Sequence, residues 1–296
     1  MTHFVGRFFV CFFLLWYNKD GDNMFENITS LILPFLGTVI GSAFVFFFKK
    51  KMSSRMEKIF SGFAAGVMVS ATFFSLIIPA FESTSDIPFF KEGNGFEKLS
   101  FLPIIIGLWL GFAFLMLLDK IIPHLHIKEN EPEGLKSKLK KSTMTGLAVA
   151  LHNFPEGMAV GILIASANTE GNSVSLFMAL ALAIGIAIQN LPEGAIISVP
   201  LAESGMKKGK AFLLGVLSGL AEPVGALLTI LFAVIAFEAL SFLLPAMLAF
   251  AAGAMLYVVV EELIPEMSRG ESHSHAGVIS FAIGFSLMMI LDVVLG

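Results

Sequence analysis

Eight apolar segments, each about long enough to cross a bilayer, limit what this chain can fold into more than any other feature of its sequence. They fall at 28–48, 59–81, 101–122, 143–167, 174–199, 211–237, 243–265 and 276–296. A helix crosses a hydrocarbon core of ~30 Å with roughly 20 apolar residues. Backbone groups in lipid must be satisfied within the segment, which leaves helices or a closed barrel, and no run of short alternating strands is present. The predicted fold is therefore an all-α integral membrane protein of about eight transmembrane helices in one domain, 28–296. Composition agrees, because 14% of the residues are charged and 56% hydrophobic, where a soluble domain carries about 25% charged residues.

Basic residues orient the spans. Lys49, Lys50, Lys51, Arg55 and Lys58 follow the first, and Lys120, Lys128, Lys136, Lys138, Lys140 and Lys141 lie between the third and fourth. Lys207, Lys208 and Lys210 follow the fifth, and Arg269 follows the seventh. Only Arg7, Lys19, Lys91 and Lys98 of the 19 basic residues fall on the other side. Positive charge marks cytoplasmic loops, so both termini are expected outside.

Outside the spans the chain offers little. Residues 1–27 read as an N-terminal extension or a weak signal-like segment. The apolar run from Phe8 to Tyr17 is too short to span comfortably, and Met24 is an equally good start. The single cysteine, Cys11, excludes a disulfide within one chain and a zinc–thiolate cluster. No basic patch joins a nucleic-acid motif, so no nucleic-acid partner is expected. The cytoplasmic loop 123–142 is charged and opens with His124 and His126, while His273 and His275 lie in the last loop. The plain reading of these pairs is polar loop residues; weak metal capture is the alternative.

Ionisable groups inside a membrane are costly and mark function by default. Here one pattern is written twice: His152-Asn153-Phe154-Pro155-Glu156-Gly157 in the fourth span and Gln189-Asn190-Leu191-Pro192-Glu193-Gly194 in the fifth. Residues four apart share a helix face, which pairs His152 with Glu156 and Gln189 with Glu193. If those faces meet, an imidazole, an amide and two carboxylates converge. Asn153 and Asn190 lie about 100° round and are placed to serve an adjoining position, to which Glu222 of the sixth span adds a carboxylate. Nitrogen and carboxylate donors without thiolate suit zinc and other late first-row cations. Pro155 and Pro192 free the carbonyls of Leu151 and Ile188, and kinked helices at mid-membrane are tolerated where they face protein or a wet cavity. Gly157 and Gly194 allow close helix approach. The competing reading is a helix seam joined by hydrogen bonds. Met68 and Ser75, seven apart, are expected on one face of the second span, where packing explains them equally well. Glu261 and Glu262 lie near the inner end of the seventh span, and Asp119 and Asp292 read as interfacial.

The doubled motif on an eight-span frame resembles the ZIP (Zrt/Irt-like) family of divalent metal transporters, and most closely its bacterial GufA-like branch. The resemblance implies a two-metal site. One metal would be held by His152, Glu156, Gln189 and Glu193, with Met68 contributing from the second helix. Its neighbour would use Asn153, Asn190 and Glu222, with Glu156 and Glu193 bridging. Ser75 matches a position toward the outer entrance and Glu262 one on the inner exit route. Some relatives carry a carboxylate where this chain has Asn190, which removes a negative charge from the second position and leaves the His152 position the firmer one. The family further implies import across a bacterial cell membrane, with zinc as the usual cargo and cadmium, iron or manganese as others. It implies no resident cofactor and commonly a homodimer.

The function expected is transport of a divalent cation through a mid-membrane site on the fourth and fifth helices. The alternative is an intramembrane zinc metallohydrolase, which needs firm ligands, an open coordination position and a separate base. The chain has no His-Glu-x-x-His, and His152 is the lone histidine inside a span. A metal-independent proton or solute carrier is the third reading. No Gly-x-x-x-x-Gly-Lys motif occurs to supply ATP drive in the same chain.

Overall fold

A computed structural model describes residues 24–48, 52–85, 87–90, 95–125, 133–136, 141–167, 174–236, 240–269 and 275–296. The apolar N-terminal run, His126 and His273 lie outside them. Among the described residues, eight helices are long and apolar enough to cross a membrane, and the expected all-α fold holds.

We number the spans α1 to α8. Helix α1 is Met24–Ala43, prolonged by a 3-10 turn Phe44–Phe46. Helix α2 is built from Ser54–Ala71, a π-helical turn Thr72–Ile77 and Ile78–Ser85. Helices α3, α4 and α5 are Phe101–Ile121, Lys141–Ala167 and Leu176–Glu203. Helix α6 has two parts, Lys208–Gly219 and Ala221–Ile235. Helix α7 runs through Leu240–Val258, a π-turn Val259–Leu263 and Ile264–Ser268, and α8 is Ala276–Leu295.

Local chemistry sets several of these boundaries. Ser53 and Ser175 cap α2 and α5, their hydroxyls accepting from the amides of Met56 and Met178 at 3.3 Å each. The break in α6 follows from Pro223, which has no N–H to offer the carbonyl of Gly219 one turn earlier. Pro155 and Pro192, by contrast, lie inside uninterrupted helical assignments. The widened turns fall instead in α2 and α7, where Pro79 and Pro265 have no N–H to offer the carbonyls of Ser75 and Glu261 within those turns. α1 begins four residues before the expected boundary, and α2 extends past its expected end to Ser85.

The helices pair closely as α1 with α5, α4 with α6, α2 with α8, and α3 with α7. Glycine makes each pairing possible. A Cβ added at Gly37 or Gly41 of α1 would collide with the α5 backbone at Ala187 or Leu191, and one at Gly157 of α4 with the Glu222 carbonyl of α6. Gly66 does the same for α2 against Phe281, and Gly111 for α3 against Phe250. Backbone-to-backbone contact of this kind supplies the dispersion energy that hydrophobic burial cannot supply in lipid. Helices α1, α4, α5 and α6 form one group and α2, α3, α7 and α8 a second. They meet through α5 with α2 and α8, and through α4 with α7. A cavity of about 400 Å³ between α3, α4, α6 and α7 is lined by apolar side chains and Thr229, whose hydroxyl is spent on the Gly225 carbonyl at 2.8 Å. It contains none of the ionisable residues.

The basic loops gather at one end. There Lys208 of α6 donates from Nζ to the carbonyls of Phe46 and Phe48, at 3.3 and 3.0 Å, beyond the last turn of α1. The Met52 amide donates to the Glu203 carboxylate at 2.7 Å, tying the α1–α2 connection to the end of α5.

Candidate metal centre

The doubled motif folds into one cluster. Glu156 of α4 and Gln189 of α5 are fully buried, and the Gln189 amide nitrogen donates to Glu156 Oε1. The same nitrogen reaches Glu193 Oε1 at 3.3 Å, so one amide joins the two motif carboxylates. Beside them Asn153 donates from Nδ2 to Glu222 Oε1 at 2.8 Å, and that oxygen also accepts from the Thr38 hydroxyl of α1 at 2.8 Å. Asn190 donates from Nδ2 to the Pro34 carbonyl of α1 at 3.2 Å. Glu222 opens the second half of α6, where the exposed amides of a helix start favour negative charge.

Among the amides and carboxylates of this cluster, the unpaired atoms are all acceptor oxygens. Asn153 Oδ1, Glu156 Oε2, Gln189 Oε1, Asn190 Oδ1 and Glu222 Oε2 are buried and accept no hydrogen bond from the described residues. Buried polar atoms ordinarily find partners, and each exception needs a cause. Five acceptor oxygens on three adjoining helices, with no spare donor among them, have the chemistry of a candidate cation site. The oxygen donors suit hard or borderline divalent ions. A seam closed on itself by hydrogen bonds would leave no such surplus.

His152 departs from the sequence reading. Its Nε2 is paired with Glu262 Oε1 of α7, and its side chain is 16% exposed where Glu156 is fully buried. Glu262 sits on the α7 π-turn, as Ser75 sits on the α2 π-turn. The α2 π-turn starts at Thr72, between Met68 and Ser75, and both residues are fully buried. Met68 is fully buried in the core, while the Ser75 hydroxyl donates to Asp292 Oδ1 of α8 at 2.6 Å. Asp292, near the end of α8, thus joins that helix to α2.

Toward the basic end the polar groups continue. A small cavity joins His152, Glu193, Glu262 and Glu266, and a second of about 250 Å³ is lined by Asp119, Glu133, Glu261, Glu262, Pro265, Glu266 and Arg269. Glu262 and Glu266 belong to both, so carboxylates line the space between the motif helices and the end that carries Arg269. Ser61 holds Glu266 Oε2 at 2.9 Å. His124, read as a loop residue, is buried at 1% exposure, with Nε2 3.0 Å from Asp119 Oδ1 and 3.9 Å from Glu133 Oε2. An antiparallel backbone bridge between His124 and Glu133, outside any helix, brings these three together in a group able to hold a metal ion. Sequence spacing could not reveal it, because Glu133 reaches the site through a loop fold. The five-residue step from Asp119 to His124 was the only legible hint.

The matching of known proteins decides the family. The model of the ZIP zinc transporters matches residues 128–292, more than half of the chain and the part that carries both motifs, Glu222 and Glu262. The chain belongs to the ZIP family. It is 40% identical to the zinc transporter GufA of Myxococcus xanthus over 75% of its length and 81% of that protein. It is 33% identical to the zinc transporter ZIP11 of Homo sapiens, covering 93% of this chain and 98% of the relative. The zinc transporter ZupT of Clostridium perfringens is 33% identical, over 92% and 98%. The ZIP family assignment and the eight spans make this a multi-pass membrane protein and not an enzyme. The metallohydrolase reading falls away.

Proposed function

We propose that this ZIP protein carries zinc across the membrane toward the cytoplasm through the carboxylate and amide cluster on α4, α5 and α6. The observation that carries this reading is the set of five buried, unpaired acceptor oxygens around Glu156, Glu193 and Glu222. A cation entering this cluster is stripped of water, and the carboxylates offset the desolvation that makes a bare ion in low dielectric so costly. Gln189 now points its amide nitrogen between Glu156 and Glu193. With an ion in that place the amide turns over and presents Oε1. Two adjoining positions are available: one at Glu156, Gln189 and Glu193, the other at Asn153, Asn190 and Glu222.

His152 supplies nitrogen at the inner edge of the first position and hands the ion to Glu262. From there Glu266, and then Asp119, His124 and Glu133, are successive resting places down to the basic end. Weak, multiple sites let an ion leave as readily as it enters. Ser75 and Asp292 are the corresponding polar pair on α2 and α8 toward the outer side. Cadmium, iron and manganese are further cargoes this donor set accepts, and a homodimer is the assembly we expect.

Uptake of radioactive zinc into cells lacking their own importers tests the reading. Glu156→Ala and Glu193→Ala each abolish uptake if it is right; uptake at the wild-type rate with either variant at normal abundance refutes it.

A further inference from the structure

The sequence reads Asn190 as a loss, one carboxylate fewer at the second position. Its hydrogen bond shows what it provides instead. A buried hydroxyl inside a helix can bond back one turn, as Thr72 does to the Met68 carbonyl at 2.7 Å, Ser166 to Ile162 at 2.7 Å and Thr229 to Gly225 at 2.8 Å. The acceptor one turn back from Thr38 is the Pro34 carbonyl, and that carbonyl receives Asn190 Nδ2 at 3.2 Å. Thr38 spends its hydroxyl on Glu222 Oε1 instead, at 2.8 Å, across 184 residues of sequence. A carboxylate at position 190 would have no hydrogen to give Pro34.

The location of Thr38 is fixed from both sides. Gly37 and Gly41 bring α1 onto the α5 backbone at Ala187 and Leu191, and Gly194 of the second motif meets the Thr38 carbonyl itself. On the opposite side the Thr38 side chain packs against Gly219 of α6. With Thr38 and Asn153 both donating to Oε1, the other oxygen of Glu222 is left buried without a donor, facing no competing hydrogen bond. A carboxylate held through one oxygen in this way has its rotamer and its free lone pairs set before an ion arrives.

We infer that Thr38 is a positioning residue for the metal: its hydroxyl, diverted from Pro34 by Asn190, fixes Glu222 as a ligand. The inference rests on the cluster reading above and assigns α1, which contributes no ligand itself, to the site. Outer partners of ligating carboxylates commonly control affinity or activity by 10–100-fold.

The test is equilibrium zinc binding and thermal unfolding of purified protein, with and without zinc, for Thr38→Val, Thr38→Ser, Glu222→Gln and the Thr38→Val/Glu222→Gln double variant. Valine keeps the packing on Gly219 and removes the donor; serine keeps the donor. Thr38→Val is expected to weaken zinc binding about tenfold or more and to shrink the zinc-induced rise in Tm, with the metal-free Tm unchanged. Thr38→Ser should bind close to wild type. In the Glu222→Gln background Thr38→Val should have no further effect on binding, because residues acting through one another are not additive. Wild-type affinity in Thr38→Val, or a full additional loss in the double variant, overturns the inference while leaving the cluster intact. Wild-type affinity in Glu222→Gln removes Glu222 from the site and the inference with it. If Thr38→Val does not fold, Thr38→Ala replaces it under the same expectations.

Discussion

His152 of α4 and Glu262 of α7 are paired across the boundary between the two helix groups, Nε2 to Oε1, with side chains 16% and 14% exposed. The proposed ligands Glu156, Gln189 and Glu222 are buried within the first group, so this pair is where the cluster touches the second group and the cavities toward the basic end. On the proposed route Glu262 acts on departure of the ion rather than on its capture. Glu262→Gln should lower the maximal rate of zinc uptake by roughly tenfold, while equilibrium binding to purified protein stays near wild type. A matching loss of affinity would place Glu262 in the ligand shell instead.

Glu156 lies at the centre of the cluster, fully buried and bonded to Gln189. A buried charge is stabilising only when paired, and replacing it with a neutral group of the same shape is often neutral or favourable to the fold. Glu156→Gln should therefore unfold at the same temperature as wild type or higher without metal. It should lose most of the stabilisation that zinc gives wild type, since only a bound ligand contributes that increment. A thermal melt with and without zinc reads both signs. A lower metal-free Tm with the zinc increment intact would make Glu156 a structural residue.

The sequence made the frame and the central cluster legible, for different reasons. Span length and the lysine pattern answer to bilayer thickness and membrane polarity, both of which act on local composition. The i, i+4 pairs His152–Glu156 and Gln189–Glu193 needed only regular helix geometry to share faces. What failed was whatever depended on departures from regularity or on long-range contact. The π-turns at Thr72–Ile77 and Val259–Leu263 each precede a proline by two residues, Pro79 and Pro265, and the regular geometry that placed Met68 and Ser75 on one face took no account of them. Thr38 was passed over, and Asp292 and His124 were read without their partners, because those lie 184, 217 and 9 positions away. Pro155 and Pro192 lie inside α4 and α5.

The group of Asp119, His124 and Glu133 lies at the inner end of the carboxylate trail. As a resting place for a departing ion it should bind weakly and be separable from the central cluster. His124→Gln should leave the tight zinc-binding step unchanged in calorimetry, abolish a weaker second step and slow uptake. Loss of the tight step with the weak one intact would reverse the assignment.

The helix pairings lend themselves to a contrast between two glycines. A Cβ at Gly157 would drive into the Glu222 carbonyl, backbone that a side-chain rotation cannot relieve, whereas one at Gly209 in the first turn of α6 meets nothing within 4 Å. Overpacking of this kind costs typically 1–3 kcal/mol, and here it also displaces a proposed ligand. Gly157→Ala should lower Tm and weaken zinc binding together, because α6 cannot keep its distance from α4 and hold Glu222 in place. Gly209→Ala should be neutral or slightly stabilising, by up to about 1 kcal/mol from the better helix propensity of alanine, with zinc affinity unchanged. Equal behaviour of the two variants would mean that backbone contact between α4 and α6 does not set the geometry of the site.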